Sequence, residues 1–322
     1  MEQPTKKQYF ITFTILCLAV SVLMGSGFIG EYLYVLTEEW IGTQEAGVYR
    51  WLSWLFCSEW TDVLVQYIFV LGMPYVAAYL LLFYLPKDRR EPVSFSLQEF
   101  MVCLVMALGL GYVLNFAGLV VGSVVSLFTN KTIGEMNPVI DMMSNLKPGM
   151  LIYACILGPF MEELMFRGIL LKRARRFGDR TAVIFCAVLF GLMHGNLTQF
   201  LYATAIGVVL GYVAVRTNSI RYNVLLHMAV NSFSTLILVG EAFLESRGFG
   251  GLAVLSMAGF LPVTVFLVVC AILFLIWYGP SMNRRLLRAN GIPSAGKLYV
   301  YVNPGFFLYA LICGIEILFY LF

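Results

Sequence analysis

Nine stretches of this chain are apolar enough, for long enough, to cross a lipid bilayer: 9–36, 62–85, 98–128, 149–171, 181–197, 198–215, 222–240, 252–278 and 304–322. A helix needs about 20 apolar residues to span roughly 30 Å of hydrocarbon. No other feature limits the fold so tightly. In lipid, every backbone N–H and C=O must be bonded within the protein, so spanning segments of this length must be helices. Composition agrees, with 60 % hydrophobic and 12 % charged residues, where a soluble domain carries about a quarter charged. The sequence therefore predicts an all-α fold, a polytopic transmembrane helical bundle of about eight to nine spans. The segments 181–197 and 198–215 are short and nearly continuous. They read as a broken or partly re-entrant pair. The segment 98–128 is long for one span, and it is expected to tilt or bend near Gly109 and Gly111.

The charges sort by side. With nine spans, the N-terminus and the segments 86–92, 172–180, 216–221 and 279–297 share one face of the membrane, and they hold 16 of the 21 Lys and Arg residues. The first loop on the other face is acidic, with Glu38, Glu39, Glu45 and Glu59. By the positive-inside rule the N-terminus is expected to be cytoplasmic. The run "LKRARRFGDR" reads as an anchor beside anionic lipid, with a second use in steering an acidic substrate. The net charge of +3 is modest. Membrane lipids are the expected surroundings and no nucleic-acid partner is implied. One membrane domain is the simplest description, divided into N-terminal helices 1–148, a motif-bearing core 149–240 and C-terminal helices 241–322.

One span carries charge where charge is costly. "GPFMEELMFRG", Gly158 to Gly168, holds Glu162, Glu163 and Arg167 in an apolar run. A buried charge costs about 2.5–3.5 kcal/mol on insertion scales. At about 100° per residue, Glu163 and Arg167 lie about 40° apart as an i,i+4 pair, whereas Glu162 lies about 140° from Arg167. Arg167 is therefore expected to neutralise Glu163 and to leave Glu162 free.

The chain has two histidines, His194 and His227. Phe190 lies one turn before His194, and Asn231 one turn after His227. Counting 1.5 Å per residue from the nearest basic loop puts Glu162, His194 and His227 roughly 15, 21 and 9 Å deep. With tilt, the three can meet in one layer. A carboxylate and two imidazoles can activate water, directly or through a metal. An asparagine amide can donate to an oxyanion.

Three patterns follow in order: "EELMFR" fits EExxxR, "FGLMH" fits FxxxH and "HMAVN" fits HxxxN. Together they resemble the CPBP family of intramembrane proteases, also called Abi, which includes type II CAAX prenyl endopeptidases and bacterial bacteriocin-processing and self-immunity proteins. The resemblance covers about residues 149–240. It implies that Glu162 is the general base that polarises water, helped by His194. It makes Glu163 and Arg167 a supporting pair, and His227 and Asn231 the oxyanion stabilisers. Phe190 would pack the site against lipid. Members are often called metalloproteases, and Glu162, His194 and His227 form a possible ligand set for zinc. A metal-free glutamate mechanism uses the same residues.

The expected activity is endoproteolysis of a lipidated or amphipathic peptide or protein substrate in the membrane, with a bacterial plasma-membrane member favoured by the compact loops. Two rivals stand beside it: a non-catalytic self-immunity or scaffold protein, and a proton-coupled transporter using the same Glu and His residues as a relay. "GVVLG", Gly207 to Gly211, reads as small-xxx-small helix packing. "GNLTQ", Gly195 to Gln199, reads as an interfacial turn. Glu316 is a lone acid in the last span, with no assigned role.

Overall fold

The computed structural model describes residues 4–57, 72–129, 131–132, 134–136, 148–287 and 298–322. Among them the regular structure is helical throughout. The helices are α1 (Lys6–Gly42), α2 (Ala46–Cys57), α3 (Met73–Leu82), α4 (Leu97–Thr129), α5 (Gly149–Phe177), α6 (Asp179–Leu192), α7 (Leu197–Thr217), α8 (Arg221–Ser246), α9 (Gly250–Leu287) and α10 (Pro304–Leu321). Seven of these are long and apolar enough to cross a membrane: α1, α4, α5, α7, α8, α9 and α10. The protein is an integral membrane helical bundle. The expected span 62–85 is described only from residue 72 onward, as α3.

Several boundaries differ from the sequence reading, each for a local reason. α1 runs to Gly42, beyond the expected end at 36. No Pro or Gly interrupts residues 36–41, so the helix continues, and Glu38 and Glu39 lie on it instead of in a loop. The segment 181–197 becomes α6, a helix of 14 residues, about 21 Å long and shorter than the ~30 Å hydrocarbon. It does not merge with the next segment. A tight turn separates it from α7, and the two helices pack along each other. α4 is continuous through Gly109 and Gly111. Gly109 serves close approach, because a Cβ there would lie 2.5 Å from the Leu267 carbonyl oxygen on α9.

α5 is not a uniform α-helix. Tyr153–Leu157 and Leu164–Leu171 are π-helical, on either side of the short α segment Gly158–Glu163. Pro159 gives one cause. It has no N–H to donate, and its ring crowds the carbonyl four residues back. The chain widens just before it, with Gly158 N–H bonded to Tyr153 O, five residues away. α5 ends at Gly178, whose φ of 112° only glycine adopts readily.

Packing divides into two apolar clusters. One joins α1, α3, α6, α10 and the second half of α5. Its centre is aromatic: Phe13 meets Phe185 edge-on at 4.7 Å, and Tyr9 meets Phe177 at 4.6 Å. The other joins α4, α7, α8 and α9. α7 runs between them, against α4 on one side and α6 on the other. The expected small-residue stripe makes the second contact. A Cβ on Gly207 would lie 3.1 Å from Ala187 Cα, and one on Gly211 would lie 2.9 Å from a Val183 methyl.

The basic segments meet at one end. Asp88 N–H bonds Lys172 O at 2.8 Å, and Val93 N–H bonds Thr217 O at 2.7 Å. Arg90 pairs with Asp179, Arg216 and Arg285 approach Glu99, and the Tyr9 ring in the first turn of α1 meets Phe177 at a tilt. The described parts of all five segments assigned to one face thus share one end of the bundle.

Candidate active site

The site lies at the seam of the two clusters, where α5, α6, α7 and α8 converge. Arg167 is the largest fully buried side chain. Its Nη1 donates to Glu163 Oε1 at 2.6 Å, as the i,i+4 spacing predicted. Its Nη2 donates to the Gly207 carbonyl at 3.2 Å, which ties α5 to α7. Its guanidinium also sits 4.6 Å from the Phe190 ring centroid, a cation–π contact. A buried charge is tolerable when it is paired and bonded in this way.

Glu163 Oε1 has a second partner. His227 Nδ1 lies 2.9 Å away. A carboxylate oxygen accepts, so Nδ1 carries the proton in this bond and Nε2 faces the other way. There Nε2 meets Glu162 Oε2 at 3.8 Å. His227 therefore bridges the two glutamates. Glu163 is fully buried, but the Glu162 side chain is 22 % exposed. Of the two carboxylates, Glu162 is the partly exposed one.

His194 follows α6 by two residues, in the turn to α7. Its Nδ1 bonds the Phe190 carbonyl at 2.8 Å. A carbonyl only accepts, so Nε2 of the neutral ring is left as an acceptor. His194, Glu162 and His227 are close enough to interact electrostatically. Phe190 stands among them, with its ring edge-on to His194 at 5.0 Å, to His227 at 5.7 Å and to Phe166 at 5.2 Å. One aromatic side chain thus sets the spacing of both imidazoles. Asn231 lies one turn beyond His227, and its Nδ2 donates to the Ala154 carbonyl at 3.0 Å in the first π segment of α5. That bond fixes α8 against α5 and uses one of the two amide hydrogens.

Three neighbours carried no signal, or an incomplete one, in the sequence. Tyr75 on α3 is buried within electrostatic reach of Glu162 and Glu163. Tyr202 on α7 is near Glu162, and its hydroxyl accepts from Gln199 Nε2 at 2.7 Å. Both tyrosines lie in apolar runs where only their position in the fold marks them. Glu316 on α10 packs its carboxyl directly against Gly195, whose φ is +62°. The acid in the last helix thus touches the turn that carries His194. The "GNLTQ" segment is a buried N-cap. Asn196 accepts from Gln199 N–H at 2.8 Å and from Thr198 Oγ1 at 2.9 Å, and it donates to the His194 carbonyl at 3.0 Å.

Among the described residues, no three His, Cys, Asp or Glu side chains gather closely enough to hold a metal ion. Glu162, His194 and His227 are neighbours but not, as placed, a coordination set.

Comparison with known proteins singles out this part of the chain. Residues 144–233 match the family described as type II CAAX prenyl endopeptidase Rce1-like. This segment resembles Rce1-like proteins. A Bacillus subtilis (strain 168) protein named "Putative membrane peptidase YdiL" is 31 % identical over 94 residues, which is 28 % of this chain and 37 % of that protein. The chain therefore spans well under half the length of that relative in the match. No solved structure matches. The matched segment takes in all of the α5, α6 and α8 residues of the candidate site. It leaves out α1, α4, α9 and α10, on which the segment packs.

Proposed function

We propose that this chain is an intramembrane endopeptidase that cleaves a lipidated or amphipathic peptide or protein substrate, with Glu162 activating the attacking water. The observation that carries this reading is the unequal placement of the two glutamates. Glu163 is fully buried, with its Oε1 shared by Arg167 and His227, and Glu162 is the partly exposed carboxylate. The Rce1-like match over the same residues supports it.

In this reading, Glu162 takes a proton from water as the oxygen attacks the scissile carbonyl, and passes it to the departing amine. His227 Nε2 lies on the Glu162 side and His194 Nε2 is left as an acceptor, so each can hold the water or exchange a proton with the tetrahedral intermediate. Asn231 keeps one amide hydrogen for the oxyanion. Arg167 and Glu163 touch no substrate. They hold His227 and Phe190 in place. Because the three candidate metal ligands do not gather as placed, no step is assigned to a metal. The five basic segments at one end support a cytoplasmic N-terminus by the positive-inside rule. The bacterial relative supports a bacterial plasma membrane.

The test is mass spectrometry of candidate peptides incubated with the purified protein and with a Glu162→Gln variant, each with and without a chelator. Removing the general base is expected to slow cleavage by about a thousandfold, with the melting temperature unchanged. Cleavage is expected to survive the chelator. Equal turnover by the variant would remove Glu162 as the base, and no cleavage by either protein would return the chain to the non-catalytic, immunity or scaffold class. Chelator-sensitive cleavage would require a metal and a rearranged ligand set.

A further inference from the structure

Apart from the candidate active site, the basic end of the bundle contains a cavity of about 260 Å³, lined by Arg90, Asp179, Tyr212, Arg216 and Arg285, with Val215 and Leu286 at its apolar edge. We infer that it binds a phosphate-bearing anion. The lining comes from four separate parts of the fold: the 86–92 segment, the start of α6, the end of α7 and the end of α9. None of these residues takes part in the proposed hydrolysis.

Charge counting favours an anion. Four guanidiniums crowd the region: Arg90, Arg175, Arg216 and Arg285. They face three carboxylates. Asp179 takes Arg90 at 2.9 Å and Arg175 at 2.8 Å, and Asp88 takes Arg90 at 2.8 Å. Glu99 takes Arg216 at 2.9 Å and is 4.0 Å from Arg285, at the limit of an ion pair. Arg285 is thus the weakly held cation. It also reaches the Tyr212 hydroxyl, and its side chain is 52 % exposed. The lining itself holds three arginines and one aspartate. Arginine presents a planar fork of donors that matches phosphate oxygens two at a time.

Position narrows the source. The cavity sits at the ends of α7 and α9, both long and apolar enough to span a bilayer, and a bilayer crossed by both would set its mouth near the lipid headgroups. Val215 and Leu286 offer an apolar edge where a lipid's glycerol and first methylenes would rest. Basic pockets between membrane helices are suited to anionic headgroups. A free phosphate compound carries the same recognisable group. A bound phosphate would cross-link α6, which leads to His194, with α7 and α9.

The experiment uses the full chain in phosphatidylcholine nanodiscs and follows binding by native mass spectrometry, so it needs no peptidase activity. Phosphatidylglycerol, extra phosphatidylcholine and inorganic phosphate are titrated separately. Phosphatidylglycerol is expected to bind about tenfold more tightly than phosphatidylcholine, and Arg285→Gln to remove about tenfold of that affinity, the effect of one charge-assisted contact. Arg284→Gln deletes the same charge one residue away, outside the cavity lining. It is expected to cost less than about threefold, as a screened surface charge does. Equal losses in the two variants, or none in Arg285→Gln, would overturn the site. Phosphatidylglycerol bound while inorganic phosphate is ignored assigns the site to lipid. Inorganic phosphate displacing the lipid assigns it to a free phosphate compound.

Discussion

α7 and α9 are both long membrane helices, yet they solve opposite problems. In the most apolar 18 residues of α7, 61 % are buried inside the protein, against 11 % for α9. The more hydrophobic helix is the less buried one, with mean hydropathy 2.8 for α9 and 1.6 for α7. Water would reverse this order. In a bilayer the lipid is itself an apolar solvent, so grease gains little by turning inward. What must turn inward is the polar set, and what brings helices together is small residues. α7 supplies Gly207 and Gly211 for approach, and its Gly207 carbonyl receives Arg167. α9 presents Phe266 and Trp277, which are 66 % and 80 % exposed. The interior of this protein is therefore organised by its few charges, and its rim by its many aromatics and aliphatics.

The comparison can be broken at three depths. The largest effect is expected from Arg167→Ala. It strands Glu163 in the seam and should cost roughly 3–5 kcal/mol, as breaking one side of a buried pair does. Denaturant titration in mild detergent would measure it, and a near-neutral result would mean that the polar seam is not structural. Gly207→Val comes next. Its added carbons strike Ala187 and Phe190 on α6, and overpacking of that kind costs about 1–3 kcal/mol. The same titration would show it, and an unchanged midpoint would remove close approach as the reason for the glycine. The smallest is Phe266→Leu on α9, expected within about 0.5 kcal/mol. A loss as large as that of Gly207→Val would mean that α9 faces protein where it is taken to face lipid.

Parts of this were legible in the sequence because they depend on near neighbours. The Glu163–Arg167 pair follows from a four-residue spacing, and it survives the π-helical turn that contains Arg167 because i and i+4 stay on nearly one face there too. The contact between Gly207 and α6 follows from a small-residue repeat. The helical class follows from apolar length alone. The rest required the fold. The π segments flanking Glu162 depend on how α5 packs and on Pro159, and periodicity does not report them. Glu316 stood out as a lone acid, but its neighbour Gly195 is more than a hundred residues earlier in the chain. Tyr75 resembles any other aromatic in an apolar run until α3 is set beside α5. The bond of the Asn231 amide to the Ala154 carbonyl likewise needs α8 set beside α5.

The helix α10 lies outside the stretch that resembles Rce1-like proteins, yet it reaches into it. Its Tyr309 hydroxyl donates to the Leu189 carbonyl at 2.7 Å, just where α6 approaches His194. Its Glu316 fills the space that Gly195 leaves open. A chimaera that transplanted residues 144–233 into a foreign membrane scaffold would inherit every motif but neither of these clasps. For engineering purposes the transferable module is larger than the recognisable one, and its last residue lies near the end of α10.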